Sequence, residues 1–230
     1  MASEPTVIPS QPQRLSADLA GSTPRFVNGV GSTLPMSTEL GDFRQRQLIF
    51  GRLERPGRVH VYRADCHAGD RLRVQLLTPV LPGGGAVAPA MAVIAQSLPY
   101  GGEAVNLPFA LPAGYSAVAV SPLRRLLAPV RDLLTRVSYY PGPVIDTRTL
   151  IGGRCYIVVW SPQNQMGQYV LHVGQGWPWS WLYWLGIPAY WWKIRGWFGY
   201  SRVPAYAALG ALLLLIWLTR GVLRRVRVQR

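Results

Sequence analysis

The sequence predicts a mainly β chain: an antiparallel β-sandwich with an inserted amphipathic helix, followed by a C-terminal transmembrane helix. Short runs rich in β-branched and aromatic residues recur between Gln45 and residue 175, separated by turns such as Arg55, Pro56, Gly57 and the Pro82 to Gly85 stretch. Within one run Leu72, Val74 and Leu76 alternate with Arg71, Arg73 and Gln75, the period of a strand with one buried face. After Arg202 comes an uncharged stretch, Val203 to Thr219, that gives way at once to a basic tail.

Along the chain, residues 1–44 are rich in Pro, Ser, Thr and Gly and show no apolar period, so they read as an extended arm. Strands are expected at 47–53, 59–64, 72–77, 90–95, 115–120, 155–160 and 169–173, inside a domain spanning 45–175. Short strands with frequent turns suit two sheets that bury their apolar faces against each other. One segment breaks the pattern. Leu123, Leu126, Leu127, Val130, Leu133, Leu134 and Val137 stand at helical spacing, with Ser121 as a cap and Pro122 in the first turn. A helix near 122–137 is expected there, kinked at Pro129, with Arg124, Arg125, Arg131 and Arg136 on its polar face. Its apolar stripe would cover one end of the sandwich.

The run from Gly57 through Val59, Tyr62, Ala68, Gly69 and Asp70 to Leu76 resembles the opening of bacterial pre-peptidase C-terminal-type domains. In those domains a Gly turn, a Tyr-bearing strand and an Ala-Gly-Asp turn lead into the next strand. Gly167, Tyr169, Leu171 and Val173 resemble the strand that closes them. The resemblance implies an extracytoplasmic, jelly-roll-like β-sandwich serving as an accessory or binding module, in some members with calcium. The Trp-rich segment, the C-terminal span and the inserted helix depart from that pattern, and ten carboxylates in the whole chain leave no basis for carrying over a calcium site.

Seventeen residues between 203 and 219 span roughly 25 Å as a helix, slightly short of a hydrocarbon core of about 30 Å unless flanking arginines snorkel. Five arginines in residues 220–230 outweigh Lys193, Arg195 and Arg202 ahead of the span. The positive-inside rule then places the tail in the cytoplasm and the large domain in the periplasm. No apolar signal-peptide core is seen in the first twelve residues, so how the domain would be exported stays open. The uncharged run 173–192 offers a two-span alternative with a cytoplasmic domain. Pro178, Gly186 and Pro188 interrupt that run, and its tryptophans favour an interfacial elbow at 176–202.

Trp177, Trp179, Trp181, Trp184, Trp191, Trp192 and Trp197 fall within 21 residues, more than anchoring one helix needs. Together with Lys193, Arg195, Arg202 and Trp217 they form the expected interface with lipid headgroups and other membrane-protein subunits. The net charge of +14 raises nucleic acid as a partner, but the basic residues flank apolar segments instead of forming a soluble stripe, so nucleic acid is not expected. Between Thr147 and Arg230 there is no Asp or Glu.

Three histidines and two cysteines give little material for catalysis. There is no His-Glu-x-x-His, Gly-x-Ser-x-Gly or phosphate-binding glycine motif, so neither an enzyme nor a cofactor is expected. Asp65, Cys66 and His67 are adjacent, but consecutive strand residues diverge and make a poor metal site. Cys66 and Cys155 each sit beside an expected strand. Spacing alone leaves open whether they pair or are separate buried thiols.

The function expected from these features is that of a non-catalytic accessory subunit of a large bacterial membrane-protein complex. An energy-transducing assembly, such as a photosynthetic reaction centre with its antenna or a respiratory complex, fits the architecture. The alternative is a stand-alone, membrane-anchored surface module that binds glycans or peptides.

Overall fold

A computed structural model describes residues 12–84, 87–98, 106–122, 127–176, 181–201, 203, 206–207 and 210–211. The elements run α1 (Pro12–Ala20), β1 (Thr23–Phe26), β2 (Thr38–Glu39), β3 (Gln47–Leu53), β4 (Val59–Cys66), β5 (Arg71–Pro79), β6 (Ala90–Gln96), β7 (Tyr115–Val120), β8 (Val130–Arg131), β9 (Ser138–Arg148), β10 (Gly153–Trp160), β11 (Gly167–Val173) and α2 (Trp181–Trp197). The strands form two sheets, ordered β1-β3-β11-β5-β9-β8 and β2-β4-β10-β6-β7. From β3 onward each connection crosses from one sheet to the other, except β6 to β7, which are neighbours, and β8 to β9, which pair at one edge. The result is a mainly β, two-sheet sandwich.

Alternation along each strand builds the interior. Ile49 and Leu53 of β3, Leu72, Val74 and Leu76 of β5, Met91 and Val93 of β6, Ile157 and Val159 of β10 and Leu171 of β11 meet between the sheets. Residues of opposite parity point outward, yet many of these are also buried. On the six-stranded sheet Leu48, Phe50, Leu77, Tyr139 and Val170 lie under α1 and α2. On the five-stranded sheet Val61, Ala92, Ile94, Val158 and Trp160 lie under Leu34, Leu107 and Phe109. This double cover explains why β6 and β10 carry near-continuous apolar runs.

Residues 12–44 belong to this structure, and the sandwich begins well before Gln45. Leu15 and Leu19, one helical turn apart, anchor α1 on the outer face of the six-stranded sheet. The chain then adds one short parallel strand to an edge of each sheet, β1 beside β3 and β2 beside β4. Arg25 joins the two additions by donating to the Leu40 carbonyl. Covering a sheet edge removes the unpaired backbone groups that invite association with other strands.

The helix expected near 122–137 is not formed over its described part. Residues 127–129 have no regular structure, and Val130–Arg131 form β8 against β9. The Asp132 carboxylate then closes a turn by accepting from the backbone N–H of Leu134 and Thr135, at 3.0 and 3.3 Å, and from the Thr135 hydroxyl. Pro129 lacks the donor a helix requires, and Asp132 offers the backbone a local alternative. Leu133, placed on the apolar stripe by its spacing, is 70% exposed. Residues 123–126 lie outside the described set.

Among the described residues no helix is long and apolar enough to cross a membrane. The expected span at 203–219 falls largely outside them: residues 203, 206, 207, 210 and 211 are described, all helical and exposed. The alternative span at 173–192 is divided between Val173, buried at the end of β11, residues 177–180, which are not described, and α2.

Candidate partner and membrane interface

Helix α2 lies on the outer face of the six-stranded sheet. Tyr183, Ile194 and Phe198 are buried along one side, at spacings of eleven and four residues that return to the same helical face. Ile194 and Phe198 join Leu15, Leu48, Phe50 and Tyr139 in one apolar cluster, with Tyr190, Trp197 and Tyr200 at its margin. The Tyr183 hydroxyl donates to the Ala20 carbonyl and fixes the start of α2 to the end of α1.

The end of α2 is closed by local chemistry. Gly199, at φ 74°, donates to Gly196 O at 3.1 Å, and Tyr200 N–H donates to Arg195 O at 3.0 Å. These two bonds with a left-handed glycine constitute a Schellman cap. Two residues later the Ser201 hydroxyl accepts from Val203 N–H at 3.3 Å, the arrangement of a helix N-cap. One helix therefore stops ahead of Gly199 and further helical residues follow Ser201, so the break between them lies at 199–201.

The face of α2 turned away from the sheet is apolar. Trp184 is 57% and Leu185 67% exposed, Pro188 and Ala189 are exposed beside them, and half-buried Trp192 meets Tyr206 edge-on at 5.1 Å. Lys193 is exposed at its margin. Arg195 places its guanidinium 4.9 Å from the Trp191 ring centre and 5.1 Å from that of Tyr200, so its charge is held by two aromatic faces. A helix that is apolar all round is normally covered all round. Among the described residues this one is covered on a single side.

The structure divides the expected interface residues. Trp184, Trp191, Trp192, Lys193 and Arg195 lie on or beside the outward face of α2. Trp197 instead packs inward, edge-on to Phe50 at 5.1 Å. Trp181 begins α2, while Trp177, Trp179, Arg202, Trp217 and the 220–230 tail lie outside the described residues. Sequence reasoning missed the packing roles of Tyr183, Ile194 and Phe198. The return of apolar residues at 190, 194 and 198, just ahead of Gly199, was the available signal.

Cys66 and Cys155 form a disulfide between neighbouring strands β4 and β10, with Cα atoms 6.2 Å apart, so Cys66 offers no free thiolate beside Asp65 and His67. Among the described residues no group of three His, Cys, Asp or Glu is placed to hold a metal ion.

Two buried polar clusters contain histidine. In the interior, His60 Nδ1 lies 2.6 Å from the Tyr169 hydroxyl, which lies 2.7 Å from that of Tyr62. Burial, with a smaller contribution from Arg58, lowers the His60 pKa to about 4, so the ring is neutral and Nδ1 can accept. Under the helices, Ser22 Oγ lies 3.2 Å from His172 Nε2 and 2.7 Å from the Asp18 carbonyl. The single hydroxyl proton of Ser22 goes to that carbonyl, so His172 is the donor to Ser22 and does not activate it as a nucleophile. Burial foremost, then Arg46 and Arg73, lowers the His172 pKa to about 3.

Comparison with protein-family models and with curated proteins found no match for this chain.

Proposed function

We propose that this chain is a non-catalytic, membrane-anchored accessory subunit of a larger bacterial membrane-protein complex, with its sandwich on the periplasmic side. The observation that carries the reading is the aromatic face of α2 left uncovered among the described residues, followed in the sequence, past the 199–201 break, by the apolar run 203–219. Each fully buried Trp or Leu on that face would contribute about 1.5–3 kcal/mol or more, at roughly 25 cal/mol per Å². An exposed apolar stripe bordered by Lys193 and Arg195 suits lipid headgroups and neighbouring transmembrane helices.

Other features support the same reading. A disulfide at Cys66–Cys155 suits an oxidising compartment. The back-and-forth strand order is that of a jelly roll, in keeping with the resemblance to extracytoplasmic accessory domains. The rival reading, a glycan-binding module, calls for aromatics lining a groove on the sandwich. Tyr62, Tyr139 and Tyr169 are fully buried, and Tyr156 and Trp160 nearly so.

A photo-crosslinking amino acid at Leu185, in the full chain in native membranes, tests the proposal against the same probe at Met166, which is exposed but outside α2, in the β10–β11 turn. Crosslinks to lipid or to another membrane protein from 185, and few from 166, are expected. Equal labelling at both positions, or none at 185, would overturn it.

A further inference from the structure

A cleft of about 330 Å³ opens at the end of the sandwich, where residues 27–30, the facing ends of β3 and β4, the start of β11 and the last turn of α2 converge. That volume falls in the range of small-molecule sites, about 300–1,000 Å³. Arg52, Glu54, Arg58, His60, Gln168 and Trp197 contribute to its lining. Register explains part of the convergence: Arg52 stands opposite Gln168 in the β3–β11 pair, on the outward face that also carries Phe50.

The charges are those of an anion site. Two arginines and one glutamate line the cleft, and His60 is neutral. Among the described residues no ion pair is formed by Arg52, Arg58 or Glu54. Arg58 is held at the rim by donating to the Val30 carbonyl at 2.8 Å, which leaves further donors of its planar fork available. Gln168 Oε1 is buried with no hydrogen-bond donor among the described residues, and leaving such an acceptor unmet costs about 1–3 kcal/mol. Trp197 supplies a fixed wall, edge-on to both Phe50 at 5.1 Å and Phe198 at 5.3 Å.

We propose that this cleft binds a phosphate-bearing polyol, with Arg52 and Arg58 on the phosphate, the Glu54 carboxylate accepting from hydroxyls, Gln168 beside them in the lining, and the Trp197 ring against the carbon skeleton. Forked guanidiniums match phosphate oxygens two at a time, which a lysine could not do. Two sources supply this chemistry: the headgroup of a glycerol phospholipid or a soluble glycerol phosphate. Trp197 lies two residues before Gly199, where the chain turns toward the apolar run, so the lipid source is favoured; that preference, unlike the chemistry of the cleft, rests on the membrane-anchored reading.

The test uses the purified full chain in detergent, with native mass spectrometry against added phosphatidylglycerol or phosphatidylcholine and a parallel titration with glycerol 3-phosphate. Phosphatidylglycerol is expected to be retained in preference to phosphatidylcholine. Its binding should weaken at least fivefold in Arg52→Gln, further in Arg52→Gln/Arg58→Gln, and stay unchanged in Arg55→Gln, an exposed neighbour outside the cleft. Arg52 is exposed, so its replacement should leave the melting temperature unaltered and isolates binding from folding. Binding of glycerol 3-phosphate alone, with the same dependence on Arg52, supports the cleft chemistry and assigns the soluble source. Binding of neither ligand, no preference over phosphatidylcholine without glycerol 3-phosphate binding, or equal loss in Arg55→Gln overturns the proposal. Carbonate extraction of native membranes, run alongside, reports separately on anchoring.

Discussion

Gly51 stands opposite Tyr169 in the β3–β11 pair, and a Cβ at position 51 would lie 2.5 Å from the ring carbon that bears the Tyr169 hydroxyl. The ring cannot retreat, because its hydroxyl is held by His60 and Tyr62 and the residue is fully buried. Gly51→Ala is therefore expected to destabilise the full chain by about 1–3 kcal/mol or more, the cost of overpacking a core. Urea or thermal unfolding checks this, and an unchanged midpoint would count against the packing described.

Removal of the Tyr169 hydroxyl leaves both of its partners without their bond. Tyr169→Phe should cost about 2–3 kcal/mol, while Tyr62→Phe, which keeps the bond to His60, should cost about 1 kcal/mol. Equal losses in the two variants would show that the three groups do not act as a chain.

Acid should destabilise the fold through its buried histidines. His60 and His172 have folded-state pKa values of about 4 and about 3, against about 6.5 when unfolded. As pH falls below 6.5 the unfolded chain takes up protons that the folded chain refuses, so stability is lost progressively down to pH 4 and below; above 6.5 the two residues have no effect. Each contributes on the order of 3 kcal/mol at full effect. His60→Gln and His172→Gln should flatten the profile of unfolding midpoint against pH between 6.5 and 4. A profile unchanged in both would contradict this.

The disulfide closes a loop across 89 positions of sequence. Cys66→Ala/Cys155→Ala is expected to lose about 2–4 kcal/mol, and native chain should show no thiol labelling until it is unfolded and reduced. Labelling of the unreduced, unfolded chain would contradict the pairing.

Much of the fold is legible in the sequence. The alternation at 71–76 and the spaced turns point to the sandwich because the interior face is apolar in nearly every strand. The eleven-residue β9 is hidden by Pro141, Gly142 and Pro143, which read as a break. They are tolerated because the β5–β9 register shifts between Gln75 and Leu77, and among the described residues β8 pairs only with Ser138 and Tyr139, so none there needs a ladder bond from 141–143 on that other side. Residues 12–40 show no period because α1 is short and β1 and β2 hold four and two residues. At 130–137 the helical spacing misleads, since Pro129 and Asp132 decide the local backbone. The aromatic density of α2 is plain in the sequence. Which side of it meets the sheet is not, because apolar residues surround the helix and leave no polar face to set its direction.

The two faces of α2 should separate by mutation. Ile194→Ala, beneath the helix, is expected to cost about 2–4 kcal/mol of stability. Trp184→Ala, on the outer face, should change stability by less than about 0.5 kcal/mol yet weaken retention in a membrane assembly. If Trp184→Ala lowers the unfolding midpoint as much as Ile194→Ala does and leaves membrane assembly unchanged, its role is in packing alone.

Blue-native electrophoresis of gently solubilised membranes, with mass spectrometry of the band that holds this chain, tests the subunit role most directly. Co-migration with other membrane proteins, lost in a Trp184→Ala/Leu185→Ser variant that still folds, is the expected result. Migration as a lone polypeptide, whether or not those side chains are present, would contradict it.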